Sequence, residues 1–146
     1  MSAIKVLYAN REHKEFIIHA NRVINNINET EQTKGLELNI DKDYFCNRPK
    51  FKCLIAEIDN KPVGMILYSY FYWANDGEVL WISQMFVEQE YRKCGVFFKL
   101  IEKLREENKD IKIVSCATGE ENKRMQKILK YYGGHEINLK FYYKKV

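Results

Sequence analysis

The chain has 146 residues, of which 46% are apolar and 30% charged, ordinary proportions for one folded domain spanning 1–146 around one core. No apolar stretch approaches the roughly 20 residues that cross a bilayer, and Met1-Ser2-Ala3-Ile4-Lys5-Val6 lacks a signal-peptide layout, so a membrane protein is excluded and a cytoplasmic location expected. The net charge of +4, with Lys140, Lys144 and Lys145 in a basic tail, suits an anionic ligand but is too mild and spread out to argue for nucleic acid.

Ile4–Tyr8 reads as a short first strand. Phe16, Ala20, Val23, Ile24 and Ile27 recur at helical spacing and predict a helix near 11–27. The stretch 28–50 is polar and mixed, with one short helix expected around Asp41–Cys46 and Pro49 as its stop. Phe51–Ile58 is a strand, Asp59-Asn60-Lys61-Pro62 a turn, and Val63–Trp73 a second, long strand. Ala74-Asn75-Asp76-Gly77 is the next turn, and Val79–Val87 pairs back as a third strand. A helix follows Gly95, with Phe97, Leu100, Ile101 and Leu104 on one face. Ile111–Ala117 is short and nearly all apolar, the mark of a buried, parallel strand. Met125, Ile128, Leu129 and Tyr132 outline a last helix that Gly133-Gly134 stops, and Leu139–Val146 closes the chain as a strand. The order β-α-(α)-β-β-β-α-β-α-β describes a three-layer α/β fold around a mixed central sheet flanked by helices. An exposed edge at Phe141–Val146 would offer a homodimer interface.

Four cysteines, Cys46, Cys53, Cys94 and Cys116, are scattered without Cys-x-x-Cys spacing. They read as reduced thiols rather than a zinc site or a disulfide framework, so no metal is expected. His13, His19 and His135 read as surface or capping residues.

The segment from Phe86 to Leu100 carries the chemistry. It reads as the end of a strand, a short basic turn with one glycine, then an amphipathic helix. The first turn of a helix offers N–H groups that no carbonyl of the helix satisfies. With the helix dipole they make an anion site, and phosphate is the usual guest. The amides of Lys93 through Phe98 can point at such an anion, Gly95 lets the backbone approach closely, and Arg92 and Lys93 add charge.

Arg92-x-x-Gly95-x-Phe97 resembles motif A of the GNAT superfamily of N-acetyltransferases, whose turn reads Arg/Gln-x-x-Gly-x-Gly/Ala. Ile58-Asp59-Asn60-Lys61-Pro62-Val63-Gly64 is similar to that family's hairpin before its third strand. Asn122 follows the buried strand where the family places an asparagine near its cofactor. The resemblance covers roughly residues 52–134. Leu67-Tyr68-Ser69-Tyr70-Phe71-Tyr72-Trp73 and Leu80-Trp81-Ile82-Ser83-Gln84-Met85-Phe86-Val87 are nearest in wording to the diamine and thialysine acetyltransferase branch.

The resemblance implies a GNAT-like acyl-CoA N-acyltransferase fold and acetyl-CoA as co-substrate. Its pyrophosphate would rest on Arg92, Lys93, Cys94, Gly95, Val96 and Phe97, with Asn122 near the cofactor. It also implies that the strand before the turn bulges and splays from the next parallel strand. The free backbone of Met85, Phe86 and Val87 would then line the pantetheine arm. One N–H there would support the acetyl carbonyl, a contribution of about 3–4 kcal/mol to the transition state. Phe97 departs from the pattern, since that place is usually small. Its position in the Phe97/Leu100/Ile101/Leu104 stripe favours turning its ring into the core.

An amine must be neutral to attack. A lysine-type amine is neutral only about once in 2,500 at pH 7, so the site needs a base, a water chain or desolvation. Similar diamine acetyltransferases carry acidic residues where this chain has Ser83-Gln84. Gln84 cannot take a proton; it can orient a water or the substrate, and its neutrality argues against a polyamine. The family's general acid is often a tyrosine seven residues after the asparagine, a place filled here by Leu129. Tyr132 lies one turn on, about 4.5 Å along the axis, and is the substitute acid or else a residue of the helix end. The aromatic run Tyr68–Trp73 has rings on both faces, one to pack beneath a helix and one either to line an acceptor groove or to complete a two-sided core. The reading is an acetyl-CoA-dependent N-acetyltransferase acting by direct attack on a primary amine of a small molecule or protein. A second reading, resting on Leu129, Gln84 and Phe97, is a weakened relative that binds acyl-CoA or a partner without efficient transfer.

Overall fold

The computed structural model describes residues 2–27, 31–137, 142, 144 and 145. Contacts divide it into two compact units, Met1–Cys116 and Ala117–Val146. The first holds β1 (Ile4–Tyr8), α1 (Lys14–Asn25), α2 (Glu31–Asp43), β2 (Lys52–Ile58), β3 (Lys61–Trp73), β4 (Gly77–Val87), α3 (Val96–Glu107) and β5 (Ile113–Cys116). The second holds α4 (Lys123–Tyr131). The strand expected over Leu139–Val146 lies outside the described residues except for Tyr142, Lys144 and Lys145. No described helix is long and apolar enough to cross a membrane.

One five-stranded sheet runs in the order β1-β2-β3-β4-β5. The first three pairings are antiparallel and β4 pairs β5 in parallel, so the sheet is mixed, as expected. Asp59 and Asn60 both take left-handed φ, 52° and 60°, which suits the two-residue turn of a tight hairpin. Leu54, Ala56, Ile66, Tyr68, Leu80 and Ile82 pack with Val96, Leu100 and Leu104 of α3. Cys53, Ile55, Met65 and Phe86 on the opposite face pack with Ile17, Ile18 and Ala20 of α1 and Ile40 of α2. Helix, sheet and helix pair make the three layers read from the sequence.

Two local expectations change. The helix expected around Asp41–Cys46 lies upstream, at Glu31–Asp43. Ile40 and Leu36, one turn apart, supply its core contact, and Gly35 and Asn39 dilute the pattern. The amides of Tyr44 and Phe45 both bond to the Ile40 carbonyl and close the helix there. Second, the core stripe of α3 is Val96, Leu100 and Leu104. Phe97 joins neither core; it is half-buried, its ring edge-on to Phe98 at 5.8 Å. His13, expected as a surface or capping residue, is a cap, and a buried one. Its Nδ1 accepts the Asn10 amide at 2.9 Å, so the Nε2 proton points to Glu57 Oε1, also 2.9 Å away.

In the second unit the expected last helix is present. The Asn122 side chain accepts the Met125 amide at 3.2 Å and starts α4. Gly133, at φ 80°, stops it: its amide bonds Lys130 O at 3.0 Å and that of Gly134 bonds Leu129 O at 2.9 Å, the paired bonds of a glycine-closed helix end.

Gly64 sets how closely α3 approaches the sheet. A Cβ there would stand 2.8 Å from Val96 Cγ1 and 3.2 Å from both Leu100 Cδ1 and the Phe86 carbonyl. Gly64→Ala should therefore destabilise the fold by about 1–3 kcal/mol through overpacking. Thermal unfolding of the variant checks this, and an unchanged melting temperature would contradict the packing described.

Candidate active site

The site is built where β4 loses its neighbour. Leu67 pairs with Gln84 but Tyr68 with Ile82, so Ser83 is an extra residue in β4, and its Oγ donates to Leu67 O at 3.1 Å. A bulge of this kind shifts the alternation of side chains. Leu80 and Ile82 face α3 before it, and Met85 and Val87 pack on the same core after it. Phe86 goes to the α1 side. Pairing with β5 stops at Ile82 and Cys116. Among the described residues, Ser83–Val87 thus have no partner strand on the β5 side. Backbone groups left without a ladder need other partners, and a ligand lying along the strand can supply them.

Beyond Val87 the chain makes a single turn at Gln89–Tyr91 and reaches Gly95. Gly95 sits at φ 81°, ψ 5° as the N-cap of α3, a conformation that favours glycine. Its carbonyl takes the first helical hydrogen bond, from Lys99 at 3.1 Å. The amides of Gly95 and Val96 thus precede the helix's own ladder. A Cβ built on Gly95 meets nothing within 4 Å, so the turn opens onto free space. No acidic side chain occupies the first turn of α3, which leaves the positive end of the helix dipole uncompensated. Arg92, Lys93 and Cys94 are exposed around it. Arg92 Nε donates to the Val87 carbonyl at 3.0 Å, tying the turn to the end of β4. A pyrophosphate fits this amide cradle with its two cations.

Gln84 Oε1 is buried and has no partner among the described residues. It is an acceptor that a ligand N–H or a water would satisfy. Sequence reasoning missed the groups on the α1 side. The Phe86 ring lies 6.0 Å from Phe16 and 5.8 Å, edge-on, from His19, and His19 Nε2 stands 2.8 Å from Glu88 Oε1. His19 and Glu88 are 69 positions apart, so no local pattern announces the pair. Gln84, Met85, Phe86 and Val87 share one strand segment, and Arg92–Phe97 continue from it. Asn122 and Tyr132 belong to the second unit, as the N-cap and C-cap of α4. Burial pushes the Cys53 thiol up to about 12 and raises that of Cys116, so neither offers a thiolate at neutral pH.

The aromatic strand divides between two faces. Tyr68 is fully buried beneath α3, with its hydroxyl 3.2 Å from that of Tyr8. The Tyr70 hydroxyl donates to Asn108 Oδ1. On the other face Phe71 meets Trp73 at 5.3 Å and Trp81 at 6.2 Å. A cleft of about 530 Å³ opens where β2 begins, lined by Tyr8, Tyr44, Phe51, Lys52, Tyr70 and Glu107, among others.

A mixed sheet whose strand parts from its parallel neighbour just ahead of an anion-holding turn defines a binder of acyl-coenzyme A. Comparison with known proteins gives the family. The model described as "Acetyltransferase (GNAT) family" matches residues 19–133. The chain is 29% identical over 118 residues to a thialysine N-epsilon-acetyltransferase of Bos taurus, covering 74% of this chain and 69% of that protein. Among solved structures, a possible acetyltransferase from Clostridium difficile 630 superposes with a TM-score of 0.77 at 22% identity, covering 98% of this chain and 97% of that one. The aminoglycoside N-acetyltransferase AAC(6')-Iy in complex with CoA gives 0.80 at 19% identity, covering 99% and 96%. The chain belongs to the acetyltransferase (GNAT) family. It is an acetyl-CoA-dependent N-acetyltransferase that carries an acetyl group to an amine, with acetyl-CoA as co-substrate.

Loss of a charge-assisted contact is worth about 1.5–3 kcal/mol. Arg92→Ala should accordingly weaken acetyl-CoA binding about tenfold or more in isothermal titration. Gly95→Glu should abolish it, by strain at positive φ and by repulsion of the phosphates. Unchanged affinity in both would remove the turn from the site.

Proposed function

We propose that the protein acetylates a primary amine by direct attack on bound acetyl-CoA within a ternary complex. The observation that carries this reading is the continuity of the two half-sites. The partner-free β4 segment runs into the left-handed Gly95 turn within a few residues, so one extended thioester with a pyrophosphate tail matches both. When bound, acetyl-CoA supplies the activated acyl group. Arg92 and Lys93 neutralise pyrophosphate charge while the amides opening α3 orient it. The β4 backbone around Met85, Phe86 and Val87 holds the pantetheine arm, and one N–H there takes up charge gathering on the carbonyl oxygen. The C–N bond forms as the C–S bond breaks, the amine loses a proton and the sulfur gains one. Tyr132 is assigned that last proton, as the phenol one turn beyond the place where the family carries its tyrosine.

Gln84 bears on the acceptor. Its buried amide oxygen accepts a hydrogen bond but cannot take a proton and carries no charge to attract a polycation. With Ser83 tied back to Leu67, this part of β4 offers no carboxylate to a polycation. A single side-chain amine, such as the name thialysine N-epsilon-acetyltransferase implies for the bovine relative, fits better than a polyamine.

Thiol release from acetyl-CoA with an amine panel tests the proposal. We expect turnover with thialysine-like amines to exceed that with spermidine. It should rise about tenfold per pH unit between roughly pH 7 and 9, because the neutral fraction of a lysine-type amine does. No release with any amine would contradict the proposal. Tyr132→Phe should lower turnover about a hundredfold with the acetyl-CoA affinity kept; an unchanged rate would return Tyr132 to the helix end.

A further inference from the structure

The exposed positions of α3 follow one rule with one exception. Lys99, Glu102, Arg105, Glu106 and Glu107 are exposed and charged, as the solvent face of a helix should be. Phe98 is apolar and 59% exposed. Half-buried Phe97 precedes it. The two ring centroids lie 5.8 Å apart and their planes 88° apart, a favoured edge-on geometry that fixes the tilt of the outer ring. A single surface ring needs no explanation by itself; the place of this one does. With Gly95 as N-cap, Phe98 is the third residue of α3. That is the position whose side chain, when it is Glu or Gln, reaches back to the N-cap amide. A phenylalanine stands over the cap without offering it an acceptor. The cap itself is open, since a Cβ on Gly95 would meet nothing within 4 Å. Lys99, the neighbour of Phe98, is engaged with Glu102 at 2.6 Å.

We infer that the Phe98 ring, propped by Phe97, is the platform on which the adenine of acetyl-CoA stacks. The inference rests on the reading that the Gly95 turn takes the pyrophosphate. Beyond that pyrophosphate acetyl-CoA carries one ribose and then its purine. The base is therefore tethered beside the phosphate site, within reach of the first turn of α3. A purine stacks on an aromatic ring through its faces, whatever its edges display. A ring at this position thus serves the one apolar part of the nucleotide end, while the amides and Arg92 serve its charge. The platform belongs to this chain rather than to the motif, whose turn keeps Gly or Ala at the place of Phe97. Phe97, which joins neither core, gains its role as the support of Phe98.

The test is isothermal titration with two ligands, acetyl-CoA and acetyl-phosphopantetheine. The second keeps the thioester, the arm and one phosphate but lacks the nucleoside. Phe98→Ala should weaken acetyl-CoA binding between about fivefold and a hundredfold, the range for one base on one ring. It should leave acetyl-phosphopantetheine binding and the melting temperature unchanged. Phe98→Trp should keep the acetyl-CoA affinity, and acetyl-CoA should quench the added indole emission where acetyl-phosphopantetheine does not. Unchanged acetyl-CoA affinity in Phe98→Ala overturns the proposal. So does an equal loss for both ligands, which would assign Phe98 to shaping the helix start. Arg92→Ala separates the stack from the reading beneath it and should weaken both ligands. If it weakens neither, the turn is not the phosphate site and the stack falls with it. If it weakens both while Phe98→Ala weakens neither, the stack alone is lost.

Discussion

The structure depends on one constraint: a strand that loses its neighbour half-way must find other partners for its backbone. Among the described residues, β4 is laddered on both sides through Ile82 and on one side afterwards. An orphaned backbone group buried away from water costs about as much as a lost hydrogen bond. A chain can lift that cost by curling the segment, by letting in water, or by reserving it for a ligand. Here the Ser83 bulge puts Met85 and Val87 on the core face, so the segment is anchored while its β5 side has no partner strand among the described residues.

The same constraint orders the surroundings. β4 leads directly to the turn at Gly95, and Arg92 fastens that turn to the Val87 carbonyl. Gly64, opposite Val87 in the register, lets Val96 sit against the sheet. The start of α3 is thereby fixed in depth by a glycine and in direction by an arginine. The proposed phosphate cradle at Gly95 and the proposed thioester strand at the end of β4 thus lie within a single unit, the kind of pre-organisation that catalysis by positioning requires. The mildly basic composition completes the match to an anionic co-substrate.

Much of this was legible in the sequence because it rests on local rules. Gly95 announces a left-handed turn, Asn122 and Gly133-Gly134 bracket a helix, and Asp59-Asn60 marks a hairpin. The strands of the sheet follow from apolar runs between turn residues. What stayed hidden depends on register or distant partners. The Ser83 bulge leaves no mark in residue type, since it is a mismatch between two strands. The helix of this stretch was expected too far downstream because, among the described side chains of α2, Leu36 and Ile40 alone reach the core. Phe97 looked like core because its spacing matches Leu100, Ile101 and Leu104, but the nearness of Gly64 gives that place to Val96. His13 with Glu57 and His19 with Glu88 lie 44 and 69 positions apart, beyond the reach of any periodicity.

The most direct measurement is a coenzyme A titration followed amide by amide in nitrogen–proton correlation spectra of the assigned protein. The expected result is that the largest shifts fall on Gly95 and Val96 and on Met85, Phe86 and Val87, saturating together with one affinity. Shifts centred instead on Tyr8, Lys52 and Tyr70 around the cleft, with the Gly95 turn and the end of β4 unmoved, would contradict the claim that the bare half of β4 and the turn after it form the coenzyme A site.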